Sequence, residues 1–124
     1  MKRDLQLVRN ILLHFEAKEN WAGEDKVQIE GYEDKLVSYH VDIMFEAGLL
    51  NGEASRTKTG RIHDVLPFRL TWEGHEFLEN TKGCRWDKIL KTIKERGCTF
   101  AFDIVKKLAT EYAEKEILQQ IATI

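Results

Sequence analysis

Hydrophobic residues recur at helical spacing in two segments of the first half of the chain. Between residues 5 and 17, large apolar side chains fall on one stripe, which predicts an amphipathic helix: Leu7, Val8, Ile11, Leu12 and Phe15. A second, broader apolar arc runs from Leu36 to Ala47 and predicts a helix over residues 33–47. Gly48 follows it, and glycine readily adopts the left-handed conformation that ends many helices.

Period-two alternation predicts strands around the second helix. Val27 and Ile29 alternate with polar residues and predict a short strand before it. After it, residues 51–64 are rich in Gly, Ser, Thr and Arg, and residues 66–70 alternate again, which together predict a two-stranded hairpin with a long tip. Proline cannot donate to a sheet ladder, so we expect Pro67 at the outer end of its strand.

Three more helices are predicted after the hairpin. Thr71 is suited to cap the first, to which Trp72 and Phe77 give an apolar side up to Gly83. A short amphipathic helix containing Trp86 is expected to end at Gly97. The last helix is expected to begin at Thr99, and its early stripe lies at four positions: Ile104, Val105, Leu108 and Tyr112.

The end of the last helix predicts self-association. Its final isoleucines lie on a face rotated away from the early stripe: Ile117, Ile121 and Ile124. One small domain rarely buries both faces of its terminal helix. We therefore expect these isoleucines to form the interface of a homodimer, which would also pair two hairpins as a palindromic DNA site requires.

Composition indicates one cytoplasmic domain. The 124 residues are 43% hydrophobic and 32% charged, and no apolar run approaches the length of about 20 residues that spans a bilayer. The charged start of the chain lacks the apolar core of a signal peptide. Cys84 and Cys98 lie fourteen residues apart without a Cys-x-x-Cys pair, so we expect free thiols.

Several motifs together resemble a known family. They are Met1-Lys2-Arg3-Asp4-Leu5, Ile29-Glu30-Gly31-Tyr32, Tyr39-His40, Glu46-Ala47-Gly48-Leu49 and the distinctive block Leu70-Thr71-Trp72-Glu73-Gly74-His75-Glu76-Phe77-Leu78. The chain resembles, over nearly its whole length, a family of small bacterial and prophage proteins termed a domain of unknown function. The resemblance implies a winged-helix-like fold and a phage context, with no catalytic residue to carry over. About twenty residues separate Ile29 from Leu50, so the helix-turn-helix is expected to be truncated.

The expected fold favours DNA binding, but the distribution of charge along the chain does not. A DNA-binding domain needs cations to neutralise phosphates. Residues 33–47, the expected recognition helix, carry one positive and four negative side chains, whereas residues 51–64 carry three positive and two negative ones. The DNA-contact candidates are therefore Arg56, Lys58 and Arg61 in the hairpin and Lys35 and Ser38 on the helix, and a solvated loop is an equal alternative for the three hairpin cations. Residues 81–98, with six positive and two negative side chains, offer a second possible contact or a solvated helix face.

No pattern in the sequence indicates catalysis, a cofactor or a metal. His40 lies in the middle of an apolar arc, where a core imidazole bonded to backbone is expected, and His14, His63 and His75 lack companions at metal-ligand spacing. There is no phosphate loop and no nucleophile in a recognisable setting. The tryptophans at positions 21, 72 and 86 are expected to fill the core.

The sequence therefore predicts an α+β, winged-helix-like domain over residues 1–83, with a two- to three-stranded antiparallel wing and a C-terminal helical extension over residues 84–124. Two functions compete. The first is a phage or prophage DNA-binding transcriptional regulator, which the expected fold favours. The second is a non-catalytic module that binds a phage or host protein through its acidic helix face.

Overall fold

The computed structural model describes residues 2–20, 22–24, 26–54, 65–96 and 102–122. Within these ranges the protein is α+β, with five helices and one two-stranded antiparallel sheet. In chain order the elements are α1 (Leu5–Glu16), α2 (Asp34–Glu46), β1 (Leu50–Ala54), β2 (Val65–Leu70), α3 (Trp72–Asn80), α4 (Cys84–Arg96) and α5 (Phe102–Ala122). Predictions for some residues lie outside the described ranges: Trp21, Arg56, Lys58, Arg61, His63, Cys98, Thr99 and Ile124.

Contacts divide the chain into two compact units, unit 1 (Met1–His75) and unit 2 (Glu76–Ile124). The five helices confirm the helical segments predicted from apolar spacing, with ends that differ by a few residues. The buried stripe of α1 is the predicted one. Gly48 follows α2 with a φ of +80°, which confirms its predicted left-handed conformation.

Asp4 joins the start of α1 to the middle of α2 within unit 1. Its carboxylate caps α1 by accepting the N–H of Leu7 at 3.2 Å, and its own N–H donates to His40 Nε2 at 2.7 Å. Burial raises the pKa of the nearby Tyr32 hydroxyl, and the Asp4 carboxylate raises it further. One residue therefore stabilises a helix terminus and connects two helices.

His40 is a neutral core imidazole with a fixed tautomer. Its side chain is 0% exposed, and Nδ1 lies 2.8 Å from the carbonyl oxygen of Leu36. Because a carbonyl oxygen only accepts, Nδ1 carries the proton, and Nε2 keeps the lone pair that accepts the Asp4 N–H. This arrangement confirms the prediction of a buried histidine bonded to backbone.

The predicted hairpin is present, but Pro67 is not at the outer end of its strand. It is the third residue of β2 and pairs with Gly52, next to the register irregularity between Asn51 and Gly52. The carbonyl of Pro67 accepts the N–H of Glu24 at 3.1 Å, on the edge of β2 away from β1. Since the nitrogen and the carbonyl of one strand residue point to the same edge, the ladder to β1 loses no donor.

The short strand predicted around Val27 is absent, because residues 26–29 form no strand. Their alternation is still visible: Val27 is 1% exposed, while Gln28 is exposed. A third strand beside β2 would need β2 both to accept and to donate backbone hydrogen bonds along that edge, and Pro67 has no N–H to donate. Lys18 Nζ instead reaches this region and donates to the carbonyl of Phe68 at 3.2 Å.

Unit 2 is organised by the packing of α4 against α5. Buried Trp86 and Ile89 on α4 confirm the predicted apolar face, and α5 contributes Val105 together with the small residues Ala109 and Ala113. Small side chains allow close approach of two helices. A hydrogen bond of 2.9 Å between the hydroxyls of Thr92 and Tyr112 also joins them.

Changing His40 to Ala should lower the free energy of unfolding by about 2 kcal/mol, because it leaves a cavity and removes the acceptor for the Asp4 N–H. Urea denaturation followed by circular dichroism measures the change. His75→Ala is the matched control, since His75 is exposed and should change stability by less than about 0.5 kcal/mol. Equal effects of the two variants would contradict the structural role of His40.

Candidate functional site

Thr71 fixes the start of α3 against the end of α2. Its hydroxyl donates to the carbonyl of Gly48 at 2.5 Å and accepts the N–H of Gly74 at 3.1 Å, while its N–H donates to the carbonyl of Leu49 at 3.1 Å. Threonine can do this because its hydroxyl both donates and accepts. The predicted N-cap is confirmed, and the same hydroxyl joins two helix ends.

Gly74 allows the first turn of α3 to lie directly on the chain that leaves α2. A Cβ atom at this position would lie 2.3 Å from the carbonyl oxygen of Leu49, a distance that real side chains essentially never adopt. Leu49 is itself 2% exposed, so its backbone has little room to move. The glycine of the distinctive Thr-Trp-Glu-Gly-His block therefore serves close backbone packing.

Trp72 is exposed, contrary to the prediction that it fills the core. Its side chain is 76% exposed, whereas the buried positions of α3 include Gly74, Phe77 and Leu78. At 100° per residue, position 72 lies well away from the direction shared by those three. The helical angle relative to Phe77 and Leu78 was the sequence signal that could have identified Trp72 as a surface residue. Trp86, in contrast, is 6% exposed and confirms its prediction.

The end of α2 and the start of α3, which Thr71 joins, carry Trp72 and exposed acidic residues. We define the α2–α3 junction surface by its exposed residues, Glu46, Ala47, Gly48, Trp72 and Glu73. These residues include one large aromatic side chain and two carboxylates. The hydrogen bonds of Thr71 hold its two halves in a fixed arrangement, so the indole projects from a rigid support.

Two of the residues predicted to contact DNA, Lys35 and Ser38, lie within the described ranges. Lys35 is exposed on α2, but Ser38 is only 6% exposed, which corrects its prediction because its side chain is not on the open face of the helix. Asp42, in the third turn of α2, accepts the N–H of Val65 at 3.3 Å and so helps to hold β2. Lys35 is therefore the cation that α2 itself offers to a phosphate.

The histidines do not form a site among the described residues. His14 Nε2 lies 2.8 Å from a carboxylate oxygen of Glu24, and His75 is exposed. No group of three or more potential metal ligands occurs within the described ranges. In the same ranges no helix is both long and apolar enough to cross a bilayer.

The C-terminal turns of α5 present three exposed aliphatic side chains, Ile117 at 55%, Leu118 at 63% and Ile121 at 62% exposed. Fully burying one such side chain stabilises by about 1.5–3 kcal/mol. Three partly exposed ones on each of two chains would therefore contribute about 5–10 kcal/mol in total, which does not clearly exceed an association cost of about 4–15 kcal/mol. The homodimer predicted through Ile117, Ile121 and Ile124 stays a prediction, and with these contacts alone it would be weak.

The protein is a small α+β protein of two compact units, and unit 1 carries the α2–α3 junction surface with its exposed tryptophan. The chain belongs to the family described as "Hypothetical protein (DUF2513)", whose model matches residues 2–99. It is also 31% identical over 111 residues to an "Uncharacterized protein" of Haemophilus influenzae (strain ATCC 51907 / DSM 11121 / KW20 / Rd). The aligned residues cover 88% of this chain and 92% of that protein. No solved structure matches.

Gly74→Ala should destabilise the protein by about 1–3 kcal/mol, because the added Cβ collides with the carbonyl of Leu49. The sign is diagnostic, since the same change in an open helix stabilises by about 1 kcal/mol. Thermal and urea unfolding measure the effect. Glu76→Ala, on an exposed position of the same helix, is the control that should stay near the parent value. A stabilised Gly74→Ala protein would rule out the close packing of α3 on Leu49.

Proposed function

We propose that this protein is a non-catalytic protein-interaction module on a winged-helix-like scaffold, and that the α2–α3 junction surface binds its partner. The order α1, α2, hairpin and α3 is the order of a winged helix with a truncated helix-turn-helix. The observation that carries the proposal is Trp72, 76% exposed on a rigid support. Tryptophan is among the residues most enriched at the energetic centres of protein interfaces.

Charge favours a protein partner over DNA for unit 1. Residues 1–75 contain ten Lys and Arg and thirteen Asp and Glu, a net charge of −3. On α2, Ser38 is buried, Glu46 is acidic and Lys35 is the one Lys or Arg side chain. A net negative unit repels the DNA backbone, from which most non-specific affinity arises.

The chemistry of the junction surface specifies the partner. The indole of Trp72 needs an apolar pocket, because removing its exposed ring from water supplies the affinity. The acidic Glu46 and Glu73 of the same surface favour Lys or Arg around that pocket. The expected partner is therefore a phage or host protein with an apolar pocket and a basic rim.

Replacing Trp72 by Ala should weaken binding to that partner at least about 30-fold, equivalent to about 2 kcal/mol, because the anchor is removed. A photoreactive amino acid at position 47, an exposed position of the junction surface that leaves Trp72 in place, would cross-link the partner in cells that produce the protein and so identify it. Calorimetry with the purified partner then gives the affinities of the parent and variant.

Lys35→Ala is the matched control, since Lys35 is an exposed residue of the same unit outside the junction surface. It should change the affinity less than twofold. Raised salt should slow association if the rim is basic. An unchanged affinity of Trp72→Ala for the cross-linked protein would overturn the assignment of the junction surface.

DNA binding through the hairpin is the second candidate function. The pairing of β1 with β2 ends at Ala54 opposite Val65, and the ten residues between them contain three cations and one acid. These cations, Arg56, Lys58 and Arg61, lie outside the described residues. The prophage setting implied by the sequence resemblance fits both functions.

The triple change of Arg56, Lys58 and Arg61 to Ala separates the two candidates. If the hairpin binds phosphates, the variant binds all DNA sequences more weakly, and the slope of log affinity against log salt flattens by about one unit for each phosphate that is no longer neutralised. Gel shifts with genomic fragments at low and high salt measure this. Failure of the parent protein to bind DNA at low salt would remove this candidate and leave the protein-interaction proposal intact.

A further inference from the structure

A basic cleft lies between α4 and α5 within unit 2. It has a volume of about 520 Å³ and is lined by residues of both helices. Three lining side chains are cations, Arg85, Lys88 and Lys115, and one is an acid, Glu116. The described lining residues therefore carry a net charge of +2 in a molecule whose overall charge is −2. Its volume falls in the range of about 300–1,000 Å³ that is typical of small-molecule sites.

Arg85 is held in place at the wall of the cleft. Its Nε donates to the carbonyl of Lys82 at 3.0 Å and lies 3.3 Å from a carboxylate oxygen of Glu116. The side chain of Arg85 is 18% exposed, whereas that of Glu116 is 52% exposed. Because a guanidinium carries four further N–H donors on its terminal nitrogens, Arg85 keeps a planar fork for an anion.

Lys88 and Lys115 add mobile charge from the two opposite helices. Both are exposed, and neither forms an ion pair with any residue in the part of the chain that the structure describes. Lys91, one turn along α4 and outside the cleft, differs because its Nζ lies 4.0 Å from a carboxylate oxygen of Glu95. The ammonium groups of Lys88 and Lys115 are therefore available to contact a ligand.

A chain of hydroxyl groups fixes the helices on either side of these cations. The hydroxyl of Thr92 donates to the carbonyl of Lys88 at 2.8 Å, so Tyr112 must donate its own proton to Thr92 Oγ1, at 2.9 Å. Tyr112 also lines the cleft. Lys88 on α4 and Lys115 on α5 therefore belong to two helices that a side-chain hydrogen bond joins.

We propose that the α4–α5 cleft binds a phosphoryl group. A phosphate with up to two negative charges matches three cations opposed by one carboxylate, and the fork of Arg85 suits its oxygens. The exposed side chain of Glu116 can turn away when an anion displaces it from Arg85. The group could belong to a small phosphorylated molecule or to a nucleic acid backbone, which share this chemistry.

Chemical-shift titrations test the proposal with three probes: inorganic phosphate, adenosine monophosphate and a 20-base-pair DNA duplex. We expect the backbone amides of Gly83 and Gln119, which line the cleft, to shift with at least one probe. The double change Lys88→Gln with Lys115→Gln should weaken that binding at least tenfold. The matched control, Lys91→Gln with Lys94→Gln, removes the same charge from positions of α4 outside the cleft and should change it less than twofold.

The three probes distinguish the two sources of the phosphoryl group. Binding of phosphate and the nucleotide identifies a small phosphorylated ligand, whereas binding of the duplex alone identifies a nucleic acid backbone. Shifts with none of the three probes, or equal losses of affinity in the two double variants, would overturn the proposal. Trp72→Ala should bind the probes as the parent does, so the result is independent of the junction surface.

Discussion

The contact of the first turn of α3 with the backbone that leaves α2 is the constraint on which unit 1 depends. Three features meet there: the left-handed Gly48, the two-way hydroxyl of Thr71 and the missing side chain of Gly74. The Thr71 hydroxyl satisfies the carbonyl of Gly48, and the missing side chain of Gly74 leaves room for the carbonyl of Leu49. A longer side chain at position 74 or a missing hydroxyl at position 71 would separate the helix ends that present Trp72.

The same short block therefore contributes both to the architecture and to the surface. Thr71 and Gly74 face the body of the protein, while Trp72 and Glu73 between them face solvent, because successive helix positions differ by 100°. A rigid backbone lowers the entropy lost when an exposed indole is captured. The acidic junction of unit 1 and the basic cleft of unit 2 are chemically opposite surfaces, and they suit different ligands.

The hairpin shows how one residue limits a sheet. Alternation around Val27 is a genuine pattern of inward and outward positions, since Val27 is buried and Gln28 exposed. Strand formation also requires a partner edge with donors and acceptors. The nitrogen and the carbonyl of Pro67 both point to the edge of β2 that this segment approaches. The carbonyl accepts the N–H of Glu24, but the nitrogen carries no hydrogen and cannot donate a second backbone hydrogen bond. Pattern alone could not reveal this, because it depends on which edge of β2 the segment meets.

The sequence by itself determined the helices, the cap at Thr71, the turn at Gly48 and the buried state of His40. These features follow from local spacing, side-chain hydrogen bonding and backbone preference, which act over a few residues. Only the tertiary structure decided that Ser38 is buried and that Lys88 and Lys115 share a cleft. The physical reason is that each depends on which neighbouring element covers a given face, and such contacts join residues that are distant along the chain.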